Sequence, residues 1–192
     1  MKIACLQFNP IQENTYVVWD DTKECAVIDA GNSNPREDAA LDNFIAMRAA
    51  EGAKMKADVA GRAQTILDCV AFVEERSPQT VREYNEKLAA RVHELLGDVT
   101  LDEGRLLQET AIFADKVAVA EETVRLRSHI AQLGKFLEAE EPIGRKMDFL
   151  VQEINREANT IGSKASDVAI AGKVIDIKAE VEKIREQIQN IE

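Results

Sequence analysis

Apolar residues recur at helical spacing along most of this chain, after a short opening segment whose composition is typical of β strands. The opening segment predicts three strands, placed around Ile3 to Phe8, at Thr15–Trp19 and at Cys25–Ile28. The remainder predicts six helices, at Glu37–Arg76, Ser77–Gly97, Leu101–Lys116, Ala120–Glu138, Gly144–Ile161 and from about Asp167 onward. The predicted fold class is therefore mainly α: an elongated multi-helix bundle behind a small N-terminal β meander.

Two features set the predicted boundaries within the helical part. Ser77 and Pro78 form a good N-cap and first-turn pair, so they predict that the long first helix stops and a second one begins. Gly97 then predicts the end of that second helix. At the level of domains, the pattern predicts a β meander over residues 1–36 and a helical domain over residues 37–192.

The last helix carries a regular apolar seam. Its apolar residues alternate steps of four and three, as in a coiled coil, at Ile170, Val174, Ile177, Val181, Ile184, Ile188 and Ile191. β-Branched residues at nearly every seam position are compatible with self-association, which makes a homo-oligomer through helical packing one expectation. Packing of the same seam against the first helix of its own chain is the favoured interpretation.

The fifth helix separates its apolar and polar residues onto opposite sides. One stripe is predicted to be buried, formed by Met147, Leu150, Val151, Ile154, Ala158 and Ile161. At about 100° per residue, the polar side divides into two rows. Glu153 and Glu157 belong to one row, and the other is formed by Asp148, Gln152, Asn155 and Asn159. Asn and Asp are poor helix formers, so a polar site is one interpretation of that row and an ordinary solvated face is the other.

Candidate chemistry concentrates on this helix and the one before it. Glu153 and Glu157 lie one turn apart, so both carboxylates can reach a single hard divalent ion. Asp148 lies well around the helix from them; pairing with Arg145 or Arg156 is its expected role, and a second site is the alternative. His129 shares a helical face with Arg125 and Glu122. A partly buried structural histidine is the ordinary interpretation, and a general base or metal ligand is the alternative.

The composition of this chain limits how it can bind a partner. Its net charge is −11, and neither the first 46 residues nor the remainder is basic, which counts against binding nucleic acid through a general positive field. The cations closest to the candidate acids are Arg145, Lys146, Arg156 and Lys164. The three widely spaced cysteines predict reduced, buried thiols in a cytoplasmic protein. No membrane span or signal peptide is expected.

Several segments carry a resemblance to a known family. The run Gly144–Lys164, the closing run Ile184–Glu192, Glu121–His129 and Phe44–Gly52 together resemble the C-terminal part of YicC-type endoribonucleases, over about residues 41–192. Residues 1–45 resemble the opening meander of metallo-β-lactamase-fold hydrolases. That fold's histidine-rich metal motif is missing, because no histidine precedes His93. Hydrolysis of the metallo-β-lactamase type is therefore rejected.

The YicC resemblance implies divalent-metal-dependent hydrolysis of RNA phosphodiesters. The expected metal, Mg²⁺ or Mn²⁺, would be held by Glu153, Glu157 and Glu122, with His129 assisting proton transfer. Phosphate would be held by Arg145, Arg156 and Lys164. Members of the family carry a long N-terminal domain that this sequence does not show, so impaired turnover is a further expectation. The alternative function is a non-catalytic helical oligomerisation or RNA-adaptor module, and whether the chain is a working fusion or an inactive chimera stays open.

Overall fold

A computed structural model describes residues 2–19, 25–29, 31, 34–96, 103–139 and 143–189. Within these residues the chain forms three strands, β1 (Lys2–Phe8), β2 (Glu13–Trp19) and β3 (Cys25–Ile28). They are followed by five helices, α1 (Pro35–Leu96), α2 (Glu103–Val117), α3 (Ala120–Leu137), α4 (Gly144–Lys164) and α5 (Val168–Gln189). The predicted mainly α fold with a long first helix and an N-terminal meander is confirmed.

Helix α1 does not stop at Pro78, so the predicted boundary there is wrong. Its 62 residues would span about 93 Å at roughly 1.5 Å per residue. An interior proline removes one backbone hydrogen bond, so other contacts must hold the helix together across it. Arg76 supplies them, because its guanidinium hydrogen-bonds to Gln79 and Glu83 beyond the proline and to Asp167 at the start of α5. Gly97, the predicted end of the second helix, lies outside the described residues.

The core lies where the middle of α1 meets α3, α4 and α5. Helix α5 packs against both α1 and α4, while α3 packs against α4 and α1. The predicted seam of α5 is buried at each of its described positions, and Ile191 lies outside the described residues. The whole predicted stripe of α4 is buried as well. Intramolecular packing of the seam, the favoured interpretation, is therefore the one observed.

The N-terminal strands form an antiparallel sheet in the order β1-β2-β3. One face covers the beginning of α1, where the Trp19 ring meets Phe44 edge-on at 6.0 Å and Arg48 lies 4.7 Å above the Trp19 ring. The other face is open to solvent, and the side chain of Cys5 belongs to it. Cys25 is exposed on the edge strand. The prediction of buried cysteines therefore holds for Cys69 and is wrong for these two. Cys5 lies on the sheet face that no other described element covers, and Cys25 shares the face of Trp19 but lies on the edge strand.

Helix α2 folds back on the C-terminal half of α1. The rings of Tyr84 and Phe113 stack with their centroids 3.7 Å apart and their planes 9° from parallel. Among the described helices, none has the length and apolar character that a membrane span requires.

Candidate metal centre

The candidate site lies between α3 and α4, which run antiparallel. Lys164, at the end of α4, contacts Glu122 near the start of α3. Glu157, about two turns earlier on α4, contacts Arg125, about one turn later on α3. Both helices bury one apolar stripe in the core, which fixes their rotation about their own axes. The polar residues beside those stripes are therefore brought face to face along the shared edge.

Three predicted site residues come together at this edge. His129, Glu153 and Glu157 each offer a ligand atom, and these atoms all lie within 4.8 Å of one another. Three atoms no more than 4.8 Å apart all lie within about 2.8 Å of a common point, whereas Mg²⁺–oxygen distances are roughly 2.1 Å, so a shared ion would draw the three side chains inward by less than about 1 Å. Glu157 is buried, and His129 and Glu153 are half-buried. Two carboxylates and an imidazole suit Mn²⁺ or Mg²⁺, with the nitrogen ligand favouring Mn²⁺.

Arg125 is the residue that sequence reasoning left without a role. Its Nε donates to Glu157 Oε2 at 3.1 Å, and its Nη2 donates to Glu122 Oε1 at 3.4 Å and Glu121 Oε2 at 3.5 Å. The Arg125 side chain is 48% exposed, so about half of its surface remains open to solvent. Arg125 therefore compensates the buried Glu157 and leaves a positive charge beside the cluster. The shared helical face of Arg125 and His129 was the sequence signal that pointed to it.

Glu122 lies beside this cluster rather than within it. Its side chain is 5% exposed, and Oε1 accepts a hydrogen bond from Lys164 Nζ at 2.9 Å. Oε2 is buried without a hydrogen-bond partner among the described residues. Burial opposes the charged form, but the hydrogen bond from Lys164 and the nearby Arg125 outweigh it, so the pKa of Glu122 lies below its ordinary value. A metal-ligand role for Glu122 stays a prediction, and the observed contacts tie it to cations.

The predicted phosphate-binding cations are spread along α4. Lys164 is held by Glu122 and by the carbonyl oxygen of Ala118, each at 2.9 Å. Arg156 donates to Glu153 Oε2 at 3.4 Å and is otherwise exposed at the edge of the centre. Arg145 lies two turns N-terminal to Glu153 and lines a groove that also contains His129. The three cations therefore flank the cluster instead of forming one phosphate cradle.

The predicted polar row lies on the outer side of α4. Asp148 accepts a hydrogen bond from Gln152 Nε2 at 2.9 Å, so the expected pairing of Asp148 with Arg145 or Arg156 is not observed. Asn155 is half-buried and Asn159 is exposed. A functional role for this row stays a prediction, and its position around the helix separates it from the two glutamates.

These features define a helical protein with a candidate divalent-cation centre between two antiparallel helices. Residues 73–192 match the family described as "Endoribonuclease YicC-like, C-terminal". The chain therefore belongs to that family, and the resemblance to YicC-type endoribonucleases is confirmed.

Two curated relatives show the extent of the match. A "Probable endoribonuclease YicC" of Clostridioides difficile (strain 630) is 49% identical over 160 residues, which are 83% of this chain and 55% of that protein. A protein of the same description from Haemophilus influenzae (strain ATCC 51907 / DSM 11121 / KW20 / Rd) is 36% identical over 155 residues, or 81% of this chain and 53% of that protein. The chain thus spans about half the length of the curated relatives it matches.

Proposed function

We propose that this chain is a divalent-metal-dependent endoribonuclease that hydrolyses RNA phosphodiester bonds. The observation that carries the proposal is the convergence of His129, Glu153 and Glu157 from two helices onto one point. The family supports the same reaction class, because both curated relatives carry the description "Probable endoribonuclease YicC". In this reaction water adds to phosphorus while a phosphorus–oxygen bond breaks, which leaves a phosphate monoester and a free hydroxyl.

Each residue of the candidate metal centre has a distinct role in this proposal. Glu153 and Glu157 would hold the cation with their carboxylates, and His129 would add a third ligand atom in its neutral form. When bound, a divalent cation supplies positive charge to the phosphoryl oxygens and lowers the pKa of water. In this proposal His129 is a metal ligand and not the proton-transfer group that the resemblance implied. The reason is that a ring nitrogen of His129 lies within the same 4.8 Å cluster as the two carboxylates.

Arg125 has two duties in the same proposal. Its hydrogen bond to Glu157 Oε2 compensates the charge of that buried carboxylate when no cation is bound. The exposed part of its side chain offers a charge-assisted hydrogen bond to a phosphate oxygen. Arg156, exposed at the edge of the centre, is placed to contact a neighbouring phosphate. Lys164 instead holds Glu122, which keeps the ends of α3 and α4 together.

The experiment compares cleavage of a single-stranded RNA by the purified chain in chelator and in Mg²⁺ or Mn²⁺. Glu157→Gln keeps the size and hydrogen-bonding capacity of the side chain but removes the charge that a hard cation requires. Metal affinity and cleavage should fall together by about an order of magnitude or more, with helical circular dichroism unchanged. Glu86→Gln, exposed on the C-terminal half of α1, makes the same charge change and should alter neither quantity.

The alternative function is a non-catalytic oligomerisation or RNA-adaptor module. It is favoured by the net charge of −11. RNA binding or oligomer formation without metal-stimulated cleavage would support this alternative and contradict the nuclease. A homo-oligomer remains part of either proposal, although the α5 seam is already buried within the chain.

A further inference from the structure

A groove of about 460 Å³ continues from the candidate metal centre along α3 and α4. His129 lines both the groove and the cluster of ligand atoms, so the two are contiguous. Beyond His129 the lining changes from acidic to aromatic and basic. It includes Gln132 and Phe136 from α3, and Arg145, Lys146 and Phe149 from α4.

Helical geometry places these residues in two facing rows. On α4, the positions Arg145, Phe149, Glu153 and Glu157 follow one another at steps of four. On α3, steps of three and four connect Arg125, His129, Gln132 and Phe136. Because the helices are antiparallel, the metal centre occupies one end of the strip and the aromatic and basic residues occupy the other. Each step of four advances about 6 Å along the helix, so Phe149 lies next to the cluster.

The exposure of Phe149 requires an explanation. Its ring is 64% exposed, although the same helix buries a complete apolar stripe on its other side. A ring that faces solvent beside two cations offers a flat apolar surface for stacking and positive charge for a phosphate. Such a combination suits an unpaired nucleotide, because a base within a duplex is already stacked on its neighbours. The charge of Arg145 and Lys146 complements a polyanion and argues for nucleic acid as the occupant.

We propose that this groove binds the nucleotide adjacent to the scissile phosphate of single-stranded RNA, with its base stacked on Phe149 and its phosphate beside Arg145. This inference rests on the proposed nuclease function and names its substrate as RNA with an unpaired base at that position. Phe149 would then orient the strand along the strip, so that the next phosphate meets the metal centre.

The first test places a fluorescent reporter at position 149. Trp19 is the only tryptophan, so the double variant Trp19→Phe, Phe149→Trp reports on the groove alone. In chelator, where metal-dependent cleavage is suppressed, a short oligoadenylate should quench this fluorescence, and an abasic ribose-phosphate strand of equal length should not. Equal quenching by both strands would overturn the proposal, because the signal would then come from the backbone.

The second test measures dissociation constants for the same two strands by fluorescence anisotropy. Phe149→Leu should weaken oligoadenylate binding roughly fivefold or more, the lower end for one base–aromatic stack, and leave the abasic strand unchanged. Arg145→Gln should weaken both strands alike and reduce the salt slope by about one. Arg82→Gln, exposed on the C-terminal half of α1, is the charge-matched control and should change neither.

The possible failures are distinguishable. Metal-stimulated cleavage combined with unchanged binding by Phe149→Leu would refute the groove and leave the nuclease intact. Base-dependent binding without cleavage in any metal would refute the nuclease and leave RNA recognition by the groove standing. A change of oligomeric state in Phe149→Leu, measured by sedimentation, would show that a second copy of the chain covers this face and would overturn the proposal.

Discussion

Substitution of Arg125 by glutamine distinguishes the contribution of this arginine to stability from its contribution to binding metal and RNA. In the structure Arg125 Nε donates to Glu157 Oε2 at 3.1 Å, and the Glu157 side chain is only 8% exposed. Glutamine is too short and uncharged to replace this contact. Arg125→Gln therefore leaves a buried carboxylate without its cation, whereas Glu122 keeps its hydrogen bond from Lys164.

The loss of stability expected in the absence of metal follows from the burial of Glu157. Removing one partner of a fully buried ion pair costs about 3–5 kcal/mol, and an exposed pair contributes about 0–1 kcal/mol. Here Glu157 is buried but Arg125 is 48% exposed, so we expect a loss of about 1–3 kcal/mol in the free energy of unfolding. For a chain of this size, each kcal/mol lowers Tm by about 2–4 °C. The expected decrease in Tm is therefore roughly 2–12 °C in chelator.

Metal should reverse part of this loss. In the parent, Arg125 and a bound cation share the same carboxylate, and their charges repel one another. The variant removes that competition, so the cation should bind more tightly and stabilise the fold more. Binding at 100 times the dissociation constant adds about 2.7 kcal/mol. We therefore expect Mn²⁺ to raise Tm more in Arg125→Gln than in the parent, while RNA cleavage falls because a phosphate contact is lost.

The assay is thermal unfolding by circular dichroism, with chelator and with a series of Mn²⁺ concentrations. Arg127→Gln is the matched control, since it removes one positive charge from the same helix where Arg127 pairs with Glu74 on α1 at 2.6 Å. Its response to Mn²⁺ should equal that of the parent. If Arg125→Gln also responds as the parent does, or if Mn²⁺ stabilises neither, the three-residue cluster does not hold a divalent cation.

Two further predictions concern the helical core. Ile184→Asp would place a charge at a seam position that is 1% exposed and should cost several kcal/mol, whereas Ile175→Asp, 68% exposed on the same helix, should leave Tm nearly unchanged. The hydrogen bond from Arg76 holds the pKa of Asp167 below its ordinary value. The resulting stability is present above about pH 4 and is lost as pH falls through the depressed pKa. Asp167→Asn keeps an N-cap side chain for α5. Its stability deficit should therefore shrink between about pH 6 and pH 3 in urea titrations, and a constant deficit would contradict the ion-pair explanation.

Local pattern predicted most of the elements because their apolar periodicity is unambiguous. The stripe of α4 and the seam of α5 each follow helical spacing without a break, and both are buried. The Ser77–Pro78 boundary failed for a physical reason. The local cap signal is genuine, but contacts from Arg76 to Glu83 and Asp167 hold the helix together across Pro78. Asp167 lies 91 residues away in the sequence, so no local pattern could reveal that contact.

The candidate site, like the fold, could be predicted only where its contacts are local in the sequence. The pairing of Glu153 with Glu157 follows from one helical turn, so it could be predicted from sequence alone. The approach of His129 depends on the packing of α3 against α4, and the family resemblance rather than the spacing suggested it. The bond from Arg125 to Glu157 depends on the rotation of both helices, which their buried stripes determine together. Exposure of Cys5 depends on a missing second layer over the sheet, which strand composition does not encode.

The acidity of the chain determines how it can hold a polyanion. With a net charge of −11, the overall field repels RNA, so attraction must come from contacts within a Debye length of about 8 Å. The strip along α3 and α4 provides such contacts. Arg125 lies at one end and Arg145 at the other, and a divalent cation bound by Glu153 and Glu157 would neutralise the two carboxylates between them. Base stacking on Phe149 adds a contribution that the net charge does not weaken. Base stacking should therefore support RNA binding in chelator, and a divalent cation should tighten that binding further by neutralising the carboxylates that face the strand.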